Sequence, residues 1–234
     1  GVQTCALPIW GLYDVPGYAR NLFNFPVIAY SGEIDKQKQA ADLMAETFAA
    51  HDRELTHVIG PKMGHKYDDA SKKKILAFVR KAFEYGREIN PQEVHVQTQT
   101  LKHNRVRWIY VSGLREHWKD SRVDAYYEAE ASTLEMMTKN VSSLILMHPN
   151  PNCCGGLNGY ALSIDGSEIK VPSGRLSVSL VRRSDGTWAV EDPPEGLRKK
   201  HGLQGPIDDA FLSRFLVVAP DRPSGNELID RWVA

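Results

Sequence analysis

The sequence is poor in cysteine and has no surplus of charge. Three cysteines occur, and Cys153 and Cys154 are adjacent. Neighbouring cysteines rarely bond to each other, because a disulfide strains the peptide between them. A lone pair also lacks the further ligands of a zinc site. Neither a disulfide framework nor a metal centre is expected. Lys+Arg and Asp+Glu balance at 29 each, so no net field draws the chain to nucleic acid or to an acidic membrane. No run of about 18 apolar residues is present, as a membrane-spanning helix needs. The N-terminus lacks the charged and apolar segments of a leader peptide, and no internal repeat or low-complexity tract occurs. What remains is ordinary for a globular chain: 42% hydrophobic and 25% charged over 234 residues, enough for one large domain or two small ones with a real core.

The ends read as foreign or interrupted. Residues 1–9, "GVQTCALPI", resemble a translated sequencing adapter, and no Met stands at position 1. They are set aside as non-native in fold reasoning. The C-terminal "NELIDRWVA" breaks off in what reads as the first turns of a helix. Both ends are expected to be cut, with any leader upstream, which leaves localisation open.

Two textures divide the rest. From about residue 20 to 88, strand and helix signals alternate. "PVIAYSG" (26–32) is a short apolar run ending in glycine, as a buried parallel strand would be. In "DKQKQAADLMAETFAAHD" (35–52), Ala40, Leu43, Met44, Thr47 and Phe48 form one helical stripe. "ELTHVIGP" (54–61) is a second strand candidate. "DDASKKKILAFVRKAFEYGRE" (68–88) is a long amphipathic helix with Ile75, Leu76, Val79, Ala82 and Phe83 on its apolar face. Strand, helix, strand, helix predicts an α/β layer with a parallel sheet, here placed at 10–89. Beyond "INPQ", short pieces with period-two alternation are punctuated by "DG" and "NPN" turns. They predict a mainly antiparallel β module, a sandwich, over 90–234. Residues 196–215 read as a loop turning into a short helix.

In a doubly wound sheet, reactive groups gather at the carboxyl ends of the strands. Asp35 follows the first strand through "SGEID", and His65 follows the second through "GPKMGH". One helix separates the two strands, so both loops reach the same rim. A carboxylate beside a histidine fixes the imidazole tautomer and stabilises the imidazolium that forms when the ring takes a proton from a nucleophile. Gly32 allows a tight strand exit, and Gly64 lets the backbone bend.

"FPVIAYSGEIDKQKQAADLM" followed by "HVIGPKMGHKY" and a closing helix resembles the C-terminal end of an α/β-hydrolase, nearest the prolyl-oligopeptidase-like (S9) and dienelactone-hydrolase-like branch. The resemblance covers about residues 20–88. It implies a partial α/β-hydrolase fold, with Asp35 as the acid and His65 as the histidine of a Ser–Asp–His triad acting on a peptide or ester. It implies no metal or organic cofactor, and it leans toward a periplasmic or secreted location. The β-rich remainder is similar to C-terminal extensions of bacterial members of that family.

The departure from that family lies in the nucleophile. Its serine sits in a G-x-S-x-G elbow, and the motif is absent from this sequence. Ser31, Ser112, Ser173 and Ser224 all lack the elbow. The chain is therefore expected to be a fragment that supplies acid and histidine while being inactive alone. Glu33 stands as an alternative acid, although the family spacing favours Asp35. His57, on a strand, reads as structural, and Asp208 and Asp209 read as helix-capping residues. Trp108, Tyr110, Trp118, Tyr126, Tyr127 and Trp188 are expected in the core more than on a binding surface. Asn140-Val141-Ser142 matches a glycosylation sequon. The rival reading is a non-catalytic carbohydrate- or protein-binding β module on a degenerate scaffold.

Overall fold

From Glu93 onward, the period-two alternation folds into strands that each bury one face. The computed structural model describes residues 15–86, 88, 91–149, 156–205, 214, 222 and 225–233. They fall in two compact units, Gly1–Gln204 and Gly205–Ala234. Cys153, Cys154, Asp208, Asp209, Ser224 and part of the 196–215 segment lie outside the described residues.

The first unit begins with a 3-10 segment, Val15–Asn24, then β1 (Ile28–Gly32), α1 (Lys38–Ala49), β2 (Thr56–Gly60) and α2 (Asp69–Tyr85). The strands that follow are β3 (Glu93–Thr98), β4 (Arg105–Val106), β5 (Ile109–Leu114), β6 (Ser121–Glu128), β7 (Thr133–Lys139) and β8 (Val141–Met147). The series ends with β9 (Ala161–Ile164), β10 (Ser167–Ile169), β11 (Ser177–Arg182) and β12 (Trp188–Val190). The second unit contains α3 (Glu227–Val233), where Arg231 pairs with Glu227 one turn back at 2.8 Å.

Two five-stranded sheets dominate the first unit, in the orders β10-β9-β7-β6-β3 and β12-β11-β8-β5-β4. The second is antiparallel throughout, while the first is mixed because β7 and β9 run parallel. Side chains from both sheets meet in one core that includes Val94, Val123, Leu134 and Ile164 from the first and Ile109, Leu144, Leu146 and Leu180 from the second. Leu144 is fully buried there, and truncating such a residue to Ala costs about 2–5 kcal/mol.

The expected partial α/β-hydrolase fold is overturned. The chain is mostly β, and its only parallel α/β component among the described residues is the two-stranded pair β1–β2, in register from Ile28↔Thr56 to Gly32↔Gly60. Among the described residues, the buried hydrophobics around that pair number three, Ala19, Phe48 and Leu55, against 22 in the sandwich core. A two-stranded sheet is too narrow to cover α2. Leu76, Val79 and Phe83, expected on that helix's buried face, are 49%, 52% and 87% exposed. The helix is well made in itself. The Asp68 carboxylate accepts from the Ser71 N–H at 2.9 Å as an N-cap, and Gly86 ends it at φ +66°.

What ties residues 15–24 to the sandwich is a pair of asparagines. β3 is an edge strand, with unpaired backbone groups facing outward. Asn24 Oδ1 accepts from the His95 N–H at 2.8 Å, and its Nδ2 donates to the His95 carbonyl at 2.7 Å. Asn21 does the same to Gln97, at 2.8 and 2.7 Å. Two side-chain amides thus do the work of a sixth strand. Beneath them, Arg20 bonds Asp124, and His95 Nδ1 lies 2.6 Å from the same carboxylate oxygen.

Candidate functional site

The site is assembled where β1 and β2 end together at Gly32 and Gly60. A Cβ on Gly32 would run into the carbonyl oxygens of Met63 and Gly64. Only glycine lets the loop after β2 cross so close to the end of β1. The crossing is stitched by backbone bonds from Glu33 N–H to the Gly60 carbonyl at 2.9 Å and from Ile34 N–H to the Met63 carbonyl at 3.0 Å. Glu33 adds a side-chain strut, its carboxylate accepting from the Lys62 N–H at 2.7 Å. Its oxygen is used in holding the loop, and it makes no bond to His65 among the described residues. Tyr30 closes the far side, donating to the Lys66 carbonyl at 2.7 Å.

Within this frame, Asp35 Oδ2 lies 3.0 Å from His65 Nδ1. The other oxygen, Oδ1, accepts from the Gln37 N–H at 2.9 Å, so the carboxylate is anchored on one side and aimed at the ring on the other. The Gln37 N–H lowers the Asp35 pKa, partial burial opposes it, and His65 lowers it further. The net result is a carboxyl held below its usual value and ionised at neutral pH. An ionised acceptor at Nδ1 places the ring proton there and leaves Nε2 with its lone pair. The Asp35 side chain is 12% exposed and the His65 side chain 81%. The carboxylate is sheltered while the ring faces outward. No described hydroxyl or thiol hydrogen-bonds to His65, so among the described residues the pair stands without a third, nucleophilic partner.

A second histidine contact escaped the sequence reading. Ser31 and His57 are diagonal neighbours on one face of the β1–β2 pair, given the pairings Ala29↔His57 and Ser31↔Ile59. Ser31 Oγ lies 2.6 Å from His57 Nε2, and Asp42 Oδ1 lies 3.7 Å from His57 Nδ1, too long for a hydrogen bond. Ser31 is 5% exposed, and Asp42 is held by Lys38 at 2.6 and 2.8 Å. This is an internal polar contact shut off from substrate. Only the strand register, which period alone does not supply, could have revealed it.

Of the six aromatic residues, three are buried, Tyr110 and Trp118 are half-buried and Tyr126 is exposed. Trp108 and Trp188 are 4% exposed and Tyr127 is 6% exposed, all in the sandwich core. The Asn140 side chain is occupied, donating to the Glu116 carbonyl and to Ser121 Oγ and accepting from the Glu116 N–H. Among the described residues, no group of three or more His, Cys, Asp or Glu is placed to hold a metal ion, and no helix is long and apolar enough to cross a membrane. Comparison with known proteins finds no matching family model, no similar curated protein and no similar solved structure.

Proposed function

We propose that Asp35 and His65 are the acid and the histidine of a serine-hydrolase site acting on esters or peptides. The observation behind this is the ring's geometry: Nδ1 is held by an anchored carboxylate, and the remaining nitrogen stands on an exposed edge with no partner among the described residues. In the mechanism, Nε2 accepts the proton of a serine hydroxyl as its oxygen attacks the substrate carbonyl. Asp35 stabilises the imidazolium. The proton then passes to the leaving alcohol or amine, which leaves an acyl-serine. Water attacks next, giving its proton to Nε2, and the serine is released when that proton returns to it. The 234 residues contain no G-x-S-x-G elbow, so on this reading the serine is supplied from outside them and the chain alone does not turn over substrate.

The test is labelling with a serine-directed fluorophosphonate. The chain alone takes no label. A longer product of the same gene takes it, and His65→Ala in that product lowers labelling by on the order of 10³-fold or more. A longer product that stays unlabelled, or whose labelling ignores His65→Ala, ends the hydrolase reading.

A further inference from the structure

The antiparallel sheet has a flaw in its ladder. β5 and β8 pair Val111↔Leu144, Gly113↔Ser143 and Leu114↔Val141, so the register slips on both sides of Gly113. Bulges of this kind re-aim side chains and recur beside binding sites. Here the slip turns two hydroxyls over one glycine. A Cβ on Gly113 would sit 2.5 Å from Ser143 Oγ and 2.7 Å from Ser142 Oγ.

Those hydroxyls open into a cleft of about 390 Å³, within the range of small-ligand sites. Its polar wall is His117, Arg182, Arg198 and Lys199, and its apolar wall is Leu114, Val181, Pro193 and Pro194. A recess of about 270 Å³ adjoins it through Ser142 and Arg182 and adds Arg115. No carboxylate lines the larger cleft among the described residues. Three of the nearby acids are engaged elsewhere, while Asp192 and Glu195, which flank Pro193 and Pro194, are exposed. Asp185 accepts from Thr187 N–H and Oγ1 at 2.9 and 2.7 Å, and Glu191 is paired with Arg183. Asp165 accepts from Thr138 and Trp188 and reaches Arg182 only at 3.8 Å.

The donors, by contrast, are in excess. Arg115 and Lys199 have no ion pair among the described residues, and Arg198 spends one N–H on the Ser112 carbonyl at 3.3 Å. Ser142 Oγ has no hydrogen-bond partner among the described residues, and Ser143 Oγ is met by Ser112 Oγ at 2.9 Å. His117 Nδ1 is buried without a partner, an expensive state for a polar atom unless something else satisfies it. Burial, with Lys199 adding, lowers the His117 pKa, which keeps the ring neutral at neutral pH.

We propose that this cleft binds a small, sugar-sized ligand through an oxyanion group, a phosphate or a carboxylate, received by Arg198, Lys199 and Arg182 and by the hydroxyls of Ser142 and Ser143. An anion offsets the mutual repulsion of the three cations and supplies the missing acceptors. Arginine forks fit both oxyanions in two-bond geometry. The leucine, valine and proline wall takes the uncharged body of the ligand. The proposal uses no residue of the Asp35–His65 pair, and the two stand or fall separately.

The experiment is calorimetric titration of the 234-residue chain in a phosphate-free, carboxylate-free buffer with glucose 6-phosphate, glucuronate, inorganic phosphate and glucose. Glucose 6-phosphate or glucuronate saturates with a Kd on the order of 1 mM or tighter, and glucose shows no saturable binding. Which of the two anions binds more tightly identifies the group. Arg198→Glu and Lys199→Glu each weaken binding by at least about fivefold, and Ser142→Ala weakens it by about threefold, with thermal midpoints unchanged. No saturation by any of the anions at about 20 mM overturns the proposal. So does equal binding of glucose and glucose 6-phosphate, or affinity indifferent to both charge reversals.

Discussion

At the scale of single residues, the candidate site depends on Gly32 as much as on the two residues that would do chemistry. The carbonyls of Met63 and Gly64 occupy the space where a side chain at 32 would begin. Gly32→Ala must push the His65 loop away, and overpacking of this kind costs about 1–3 kcal/mol. The expected outcome is a lowered thermal midpoint together with loss of the Asp35–His65 bond, read from the His65 ring nitrogens by NMR. An alanine variant with unchanged midpoint and unchanged ring signals would show that the loops do not cross as described. Asp35 and His65 were legible in the sequence, because each follows a glycine-ended apolar run by a few positions. Glu33 was legible only as a rival acid. Its function as a strut to the Lys62 N–H depends on where the second loop crosses, and spacing along one chain does not encode that.

At the scale of elements, the periodicities located strands and helices well but left their partners open. Hydrophobic spacing tells which face of a helix is apolar, and says nothing of what is available to cover it. The stripe at Leu76, Val79 and Phe83 is real, yet a two-stranded sheet leaves it exposed. That is why the α/β texture failed to predict the fold class. The closure of the β3 edge was invisible for a related reason. "ARNLFN" contains two asparagines three apart, an ordinary composition for a loop or turn. Only the structure shows that this stretch is a 3-10 segment which presents them to alternate residues of β3. Asn24→Ala leaves the His95 N–H and carbonyl without those partners, at a cost of about 1–3 kcal/mol. Hydrogen exchange at the His95 and Gln97 amides measures it directly. Faster exchange at His95, with Gln97 following in Asn21→Ala, is expected; unchanged exchange at His95 would mean that the asparagines merely lie nearby.

For the whole molecule, the contact between residues 15–53 and the sandwich includes ion pairs beside the asparagine bonds, and so responds to pH. Burial alone would raise the Asp124 carboxyl, but hydrogen bonds from His95 and Arg20 outweigh it and hold its pKa below the usual value. At Glu93, the bond from Arg53 is the leading cause of a lowered pKa. Burial, then Arg20, lowers the His51 pKa, and Arg20 Nη1 lies 3.2 Å from His51 Nδ1. The signs follow from which state binds more protons. Below about pH 6.5, the unfolded chain protonates His51 ahead of the native chain, so stability falls as pH drops. Below about pH 4, the unfolded carboxylates take protons before Asp124, Glu93 and Asp35 do, and stability falls again. Urea midpoints at about pH 7.5, 5.5 and 3.5 should decrease in that order, with a shallower first step in His51→Gln. A first step as steep in His51→Gln as in the parent chain would remove His51 from the account.

The central claim is that Asp35 orients His65, and the ring nitrogens of His65 report on it directly. In two-bond 1H–15N spectra at a pH where the ring is neutral, Asp35 accepting from Nδ1 requires the Nδ1–H tautomer, with Nε2 unprotonated. Asp35→Asn should shift the population toward the Nε2–H form preferred by free imidazole side chains. His65 in the Nε2–H form in the parent chain, or a tautomer unmoved by Asp35→Asn, would contradict the account.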